Sequence, residues 1–268
     1  LSAAYYLSLM GHKATVFETR KRLGGMLAYG IPSYRLPAEE LQKDIDAILA
    51  TGVEVRHGII VGKDITLAQL EKEYDAIYIA IGAHTDKKIG MEGENLRGVV
   101  SAVEMLRAIG DGVLPDFTGK KVVVIGGGNV AMDCCRSAVR LGAKTVSVVY
   151  RRRQQDMTAL PDEVEGALAE GVELMPMMAP LRIEGDENEN AAALWVQPQR
   201  VGAIDSAGRP TPEKANEPEV RIEADIIIVA IGQSIELKAF EEEGVPIHRG
   251  TIAALPSGDV ENNSGIFA

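Results

Sequence analysis

The first nine residues, LSAAYYLSL, pattern as a helix that stops at Gly11, and the β-rich run 14–17 follows at once and ends in Glu18. A loop over residues 20–37 carries Gly24-Gly25 and the segment YGIPSYRLP. Across residues 37–50, Leu41, Ile45, Ile48 and Leu49 recur at helical spacing, which predicts an amphipathic helix with one buried face. GVEVRHGIIVG predicts strands around a turn at His57-Gly58, LAQLEKEY a short helix, and DAIYIAIGA a nearly continuous apolar strand of the kind buried on both faces. Residues 91–118 are polar and turn-rich apart from the helix SAVEMLRAIG. Beyond them, KKVVVIGGGNVAMDCCRSAVRLGAKTVSVVYRRR runs strand, glycine turn, helix, glycine, strand, basic loop. Residues 172–228 change to short alternating strands separated by the polar loops GDENENAA and SAGRPTPEKANEPE, a β meander with an exposed hairpin, before the closing strand ADIIIVAIG.

Strands alternating with helices predict an α/β fold with a parallel, doubly wound sheet, here as two Rossmann-like dinucleotide-binding domains. The expected division is a first domain over residues 1–112, a complete second domain over 113–232, and a return segment to the first over 233–268. The chain opens at Leu1 already inside a helix, and helix, glycine, strand, acid is the order that follows a G-x-G-x-x-G turn. Counting back from Glu18 places those glycines just ahead of Leu1. With the abrupt ending SGIFA, the first domain is expected to be cut short at both ends.

Composition narrows the function. A formal net charge of −11 argues against a nucleic-acid-binding surface, which needs clustered Lys and Arg, and leaves Arg151-Arg152-Arg153 as a local exception. No apolar stretch approaches the roughly 20 residues of a membrane span, and LSAAYYLSLMG lacks the basic start and cleavage pattern of a signal peptide, so a cytoplasmic protein without membrane contact is expected. The two cysteines, Cys134 and Cys135, are adjacent in a predicted helix and read as core residues. They cannot build a four-thiolate site, and a disulfide reductase would need a spaced C-x-x-C pair. The four histidines show no ligand spacing, which leaves no metal site and no catalytic side chain singled out.

The strongest chemical signal is the G-x-G-x-x-A turn from Gly126 through Gly128, Asn129 and Val130 to Ala131, directly after one strand and opening a helix. Bare glycines let a pyrophosphate approach the backbone, small Ala131 allows close helix–strand packing, and the helix N-terminus offers N–H groups and a positive dipole end. The alternative is a glycine turn that binds nothing. The next strand, TVSVVY, ends in Arg151-Arg152-Arg153, where NADP sites place arginine for the 2′-phosphate and NAD sites an acid; the alternative there is a solvated basic loop. In the first domain the equivalent residue is the acid Glu18, which fits the ribose hydroxyls of FAD, or else caps its strand or pairs with Arg20 or Arg22.

These residues resemble the glutamate synthase small (β) subunit family and its relatives, including the NADPH-side domains of dihydropyrimidine dehydrogenase. The resemblance rests on VFE with GGMLAYGIPSYRLP, on VGKDITLAQLEKEYDAIYIAIGA, on GENLRGVVSAVEML, on VVVIGGGNVAMD with VVYRRR, and on ADIIIVAIGQ, covering almost the whole chain in order. It implies that Glu18 binds the FAD ribose, that Gly24, Gly25 and Met26 lie along the flavin cofactor, that Val61 meets its adenine, and that Ile31 and Pro32 approach the isoalloxazine. It implies likewise that Gly126, Gly128, Asn129 and Val130 hold the NADPH pyrophosphate, Arg151 and Arg152 the 2′-phosphate, and that Ala230, Ile231, Gly232 and Gln233 line the nicotinamide path. The family's first glycine turn, its terminal G-G-D segment and its cysteine-rich cluster domain are missing. Met157-Thr158-Ala159 replaces the usual M-P-A and is expected to loosen that loop.

The implied activity is hydride transfer from NADPH to flavin N5, with electrons then released singly to iron–sulfur centres in another domain or in a large amidotransferase-type subunit. The cofactors carry that chemistry, and the protein supplies alignment and electrostatics. The alternative is a non-catalytic NADP-binding or electron-relay module.

Overall fold

A computed structural model describes every residue except Ala207, so that position in the expected hairpin lies outside the described residues. The chain forms two compact units: Leu1–Thr85 with Gln233–Ala268, and Asp86–Gly232. Residues 86–112, read from the sequence with the first domain, therefore lie in the second unit. The reason is a strand at Val99–Ser101 that joins the second unit's sheet.

The first unit begins with α1 (Ser2–Leu9), β1 (Thr15–Glu18), the single helical turn α2 (Met26–Tyr29), α3 (Ala38–Leu49), β2 (Glu54–His57), α4 (Leu67–Glu73), β3 (Ile77–Tyr78) and β4 (Thr85–Asp86). β1 and β2 pair in parallel, from Thr15 opposite Glu54 to Glu18 opposite His57. α4 is fixed by a capping box, in which Thr66 accepts from the Gln69 N–H while the Gln69 carboxamide accepts from the Thr66 N–H. Three local expectations are corrected. Met26–Tyr29 is helical instead of loop, because Gly25 turns the chain into it. After His57-Gly58 no second strand follows, only the isolated bridge Val61–Ile65. The apolar run DAIYIAIGA gives only the two residues of β3, with Tyr78 56% exposed, since its ladder partner among the described residues is a strand of equal shortness at Ile266–Phe267.

The second unit continues with β5 (Val99–Ser101), α5 (Ala102–Gly110), β6 (Lys121–Ile125), α6 (Asn129–Arg140), β7 (Thr145–Tyr150), α7 (Pro161–Ala169), β8 (Glu173–Pro176), β9 (Met178–Gly185), β10 (Ala191–Ile204), β11 (Pro210–Lys214), β12 (Val220–Glu223) and β13 (Ile226–Val229). Five of these strands form an all-parallel sheet in the order β5-β13-β6-β7-β8. Alternate residues explain why its strands are apolar throughout. Val122, Val124, Val146, Val148 and Ile228 pack with Met132, Cys134, Cys135 and the helices, whereas Val123, Ile125, Val149 and Ile227 pack with Ile183, Leu194 and Val196 of the meander. The meander is antiparallel around the long β10, which pairs with β9, β12 and β11.

Returning to the first unit, the chain adds β14 (Gln233–Ser234), α8 (Lys238–Glu242), β15 (Ile247–His248), β16 (Thr251–Ile252) and β17 (Ile266–Phe267). Leu67, Ile79, Phe240, Val245, Val260 and Ile266 form its core, and the Glu243 carboxylate accepts from the Leu67 N–H at the start of α4. Among the described residues, no helix is long and apolar enough to cross a membrane.

Two ionic clusters fix the second unit's layers. Arg136 of α6 donates to Glu163 of α7 (2.6 Å) and to Glu170 (2.9 Å), with all three side chains at most 22% exposed. Arg136→Ala removes two part-buried ion pairs, although Glu170 keeps Arg140, so chemical denaturation should register a loss of about 2 kcal/mol, less than the roughly 3–5 of a fully buried pair. On the meander, hydrogen bonds from Arg221 and from the Trp195 indole hold the Glu184 carboxyl at about 2, below its ordinary 4.5. A carboxyl depressed in the folded state stabilises fully above the unfolded value and loses that contribution as pH falls through the folded one. Between pH 4.5 and 2 the unfolding midpoint of the parent should therefore fall more steeply than that of Glu184→Gln.

Candidate nucleotide-binding site

β6 lies inside the parallel sheet with β7 and β13 on either side, so the sheet's switch point falls at its carboxyl end. There the chain turns at Gly126, φ +151°, with its N–H on the Val149 carbonyl. A Cβ at Gly126 would sit 2.3 Å from the Ala230 carbonyl oxygen, and one at Gly127 would sit 2.5 Å from the Tyr150 ring. Gly128 is the N-cap of α6 and provides no side-chain cap. The turn thus leads into the amino end of a 12-residue helix whose first N–H groups no side chain caps, the kind of end an anion can occupy.

The loop after the arginines closes on this turn. Both Thr158 and Ala159 donate N–H groups to the Gly127 carbonyl at 3.0 Å, and the Asn129 carboxamide oxygen accepts from the Leu160 N–H at 2.8 Å. The expectation of a loosened loop is corrected by these bonds: a proline at position 158 could not donate, whereas threonine does. Asn129 is thereby engaged through its side chain, and Val130 packs half-buried against the helical core.

The three arginines diverge. Arg151 is exposed. Arg152 turns toward the tip between β10 and β11, donating to the Pro210 carbonyl (2.9 Å) and to Asp205 (3.3 Å), with its side chain 13% exposed. Arg153 forms a two-pronged pair with Asp156 at 2.7 and 2.8 Å. The Tyr150 hydroxyl donates to the Asp156 carbonyl at 2.9 Å; burial pushes its pKa up, against the opposing charges of Arg152, Arg209 and Arg151. Tyr150, Asp205 and Arg209 were not singled out from the sequence, because each acts through a contact with a residue distant in the chain or across the turn.

At the end of β13, Ala230 is buried, its N–H on the Ile125 carbonyl, Ile231 is 39% exposed, and the Gly232 carbonyl accepts from the Lys87 N–H. Gln233 opens the return segment, and its Nε2 is buried without a partner among the described residues. In the first unit, one Glu18 carboxylate oxygen accepts the Arg20 N–H at 2.8 Å, so the acid caps its own turn through backbone. Gly24 and Gly25 precede α2 with positive φ, and a Cβ at Gly24 would lie 3.0 Å from that of Ala28. Met26 starts α2 and its carbonyl accepts the Ile31 N–H, Pro32 is buried, and Val61 forms its bridge with Ile65.

The model of the family described as pyridine nucleotide-disulphide oxidoreductase matches residues 1–268. The chain belongs to that family. It is 40% identical over 270 residues to the NADP(+)-dependent formate dehydrogenase subunit beta of Moorella thermoacetica, covering all of this chain and 38% of that protein. It is 35% identical over 242 residues to the glutamate synthase [NADPH] small chain of Escherichia coli, covering 87% of this chain and 51% of that protein. The chain thus spans about half or less of these relatives' length. Mycobacterium tuberculosis FprA in complex with NADPH superposes with a TM-score of 0.80 at 17% identity, over 99% of this chain and 74% of that one, a likeness of fold. The expected α/β fold of Rossmann type and the resemblance to the glutamate synthase small subunit both agree with these findings. The two cysteines are buried in the α6 core, and burial pushes the Cys135 thiol up to about 12 and the Cys134 thiol well above its ordinary value, so neither is a ready nucleophile.

Filling the bare turn should damage the fold and the site together. Gly126→Ala meets a carbonyl oxygen and Gly127→Ala a tyrosine ring. Each is expected to cost about 1–3 kcal/mol of stability in thermal or urea unfolding, and at temperatures where the variants stay folded, calorimetric titration should find their NADP+ binding weakened.

Proposed function

We propose that the chain is the nucleotide-binding part of an NADPH-dependent flavoprotein oxidoreductase of the glutamate synthase small-subunit type. The carrying observation is the bare-backbone turn Gly126–Gly128 at the head of α6, with arginines at the end of the adjacent strand β7. That turn fits a pyrophosphate because the two glycines keep it tight against the Ala230 carbonyl and the Tyr150 ring, and the helix it opens has no side-chain cap on its first N–H groups. The backbone of Gly126, Gly128, Asn129 and Val130 holds the pyrophosphate of NADPH, and Arg151 and Arg152 the 2′-phosphate. Ala230, Ile231, Gly232 and Gln233 line the nicotinamide path, where the unpartnered Gln233 amide is a ready donor. Glu18 takes the FAD ribose through the carboxylate oxygen that does not cap Arg20, Gly24, Gly25 and Met26 run along the flavin cofactor, Val61 meets the adenine, and Ile31 and Pro32 exclude water beside the ring.

When both are bound, NADPH supplies a hydride to the flavin, which passes the electrons on singly. The acceptor is an iron–sulfur domain or a large amidotransferase-type subunit, and the setting is the cytoplasm. Alignment and electrostatics are the work of this chain's residues.

The test is the visible spectrum of the protein supplied with FAD. A yellow flavin band that NADPH bleaches faster than NADH is the expected result. A preparation that stays colourless with ample FAD overturns the flavoprotein reading, and NADP+ binding without any flavin reduction would favour a non-catalytic NADP-binding module.

A further inference from the structure

The hairpin between β10 and β11 is fastened to the strand end that carries the arginines. Arg152 donates from Nη1 to the Pro210 carbonyl at 2.9 Å, and both of its terminal nitrogens reach Asp205 Oδ2, at 3.3 and 3.4 Å. The other Asp205 oxygen accepts the Arg209 N–H at 2.9 Å, and the Asp205 N–H donates to the Arg209 carbonyl at 2.8 Å. Arg209 is therefore held one peptide away from the groups that Arg152 grips.

Three further observations bear on what this arrangement serves. Burial raises the pKa of the Tyr150 hydroxyl and the charges of Arg152, Arg209 and Arg151 oppose that rise, so all three guanidinium groups lie near enough to act on the residue whose ring packs on Gly127. Arg153 is neutralised by Asp156, whereas Arg151 and Arg209 have no ion pair with a carboxylate among the described residues. Three guanidinium groups against the single carboxylate of Asp205 leave two net positive charges on a chain whose total is −11. A phosphate monoester carries about −1.5 to −2 at neutral pH, which matches that excess.

We propose that Arg209, carried by the β10–β11 hairpin, is a third guanidinium of the adenosine 2′-phosphate subsite, and that Asp205 is the positioning residue that ties the hairpin to Arg152. This rests on the NADP reading above and extends it to a segment outside the dinucleotide fold proper. Arg152 keeps N–H donors beyond those spent on the hairpin, and the pair with Asp205 holds the guanidinium in place while those donors serve the phosphate. The subsite thus selects for the phosphorylated dinucleotide from two sides, strand end and hairpin.

Calorimetric titration of the chain with NADP+ and with NAD+ tests the proposal, using the parent, Arg209→Ala, Arg209→Lys, Asp205→Asn and Arg151→Ala, with Arg200→Ala as a basic control on the outer part of β10. The parent is expected to prefer NADP+. Arg209→Ala should weaken NADP+ about tenfold, the scale of a lost charge-assisted bond, and leave NAD+ within about twofold. Arg209→Lys should recover most of the loss, Asp205→Asn should lose about threefold for NADP+ alone, and Arg200→Ala should change neither. If Arg209→Ala keeps the parent's ratio of NADP+ to NAD+ affinity while Arg151→Ala lowers it, the hairpin assignment fails and the NADP reading stands. Parallel weakening of both nucleotides in Arg209→Ala marks a structural role and overturns the assignment equally. A parent that binds both nucleotides alike removes the NADP reading and the proposal together.

Discussion

Much of the second unit depends on one close approach. The backbone at Gly126 lies so near the Ala230 carbonyl that no side chain fits between β6 and β13, and Gly127 lies as near to the Tyr150 ring. Those two contacts draw three strand ends together at the carboxyl edge of the sheet. The head of α6, which follows, carries no side-chain cap on its first N–H groups, and an anion can use such a helix end.

The rest of the unit keeps that edge rigid. Both faces of the parallel sheet are covered, one by α5, α6 and α7 and the other by the antiparallel meander, so the strands contribute apolar residues in both directions. The Arg136 cluster ties α6 to α7 and to Glu170. Thr158, Ala159 and Leu160 close the arginine loop onto the turn through backbone bonds and the Asn129 side chain. Through these links the turn is held in place from several sides.

Charge is distributed with the same economy. Of three consecutive arginines, one is consumed by Asp156, one grips the hairpin, and one faces solvent. A basic run in an acidic chain is therefore not one uniform patch. Each guanidinium has the role that its neighbours in space, not in sequence, allow it.

The amino-acid sequence by itself determined the parallel α/β plan, the turn at Gly126–Gly128 and the burial of Cys134 and Cys135, because glycine spacing and hydrophobic periodicity are local codes that short segments obey. It also carried the kinship to the glutamate synthase small subunit, since motif order survives where overall identity is 35%. Strand length in the first unit was not legible. DAIYIAIGA has the composition of a fully covered strand, yet only Ile77–Tyr78 pair, because a ladder extends no further than its partner. Tertiary structure alone decided which unit residues 86–112 join, that Thr158 donates where proline could not, and that Asp205 and Pro210 meet Arg152 just past the end of β7. Each of these depends on a hydrogen bond or ion pair between segments far apart in the chain, and no local pattern encodes such a partner.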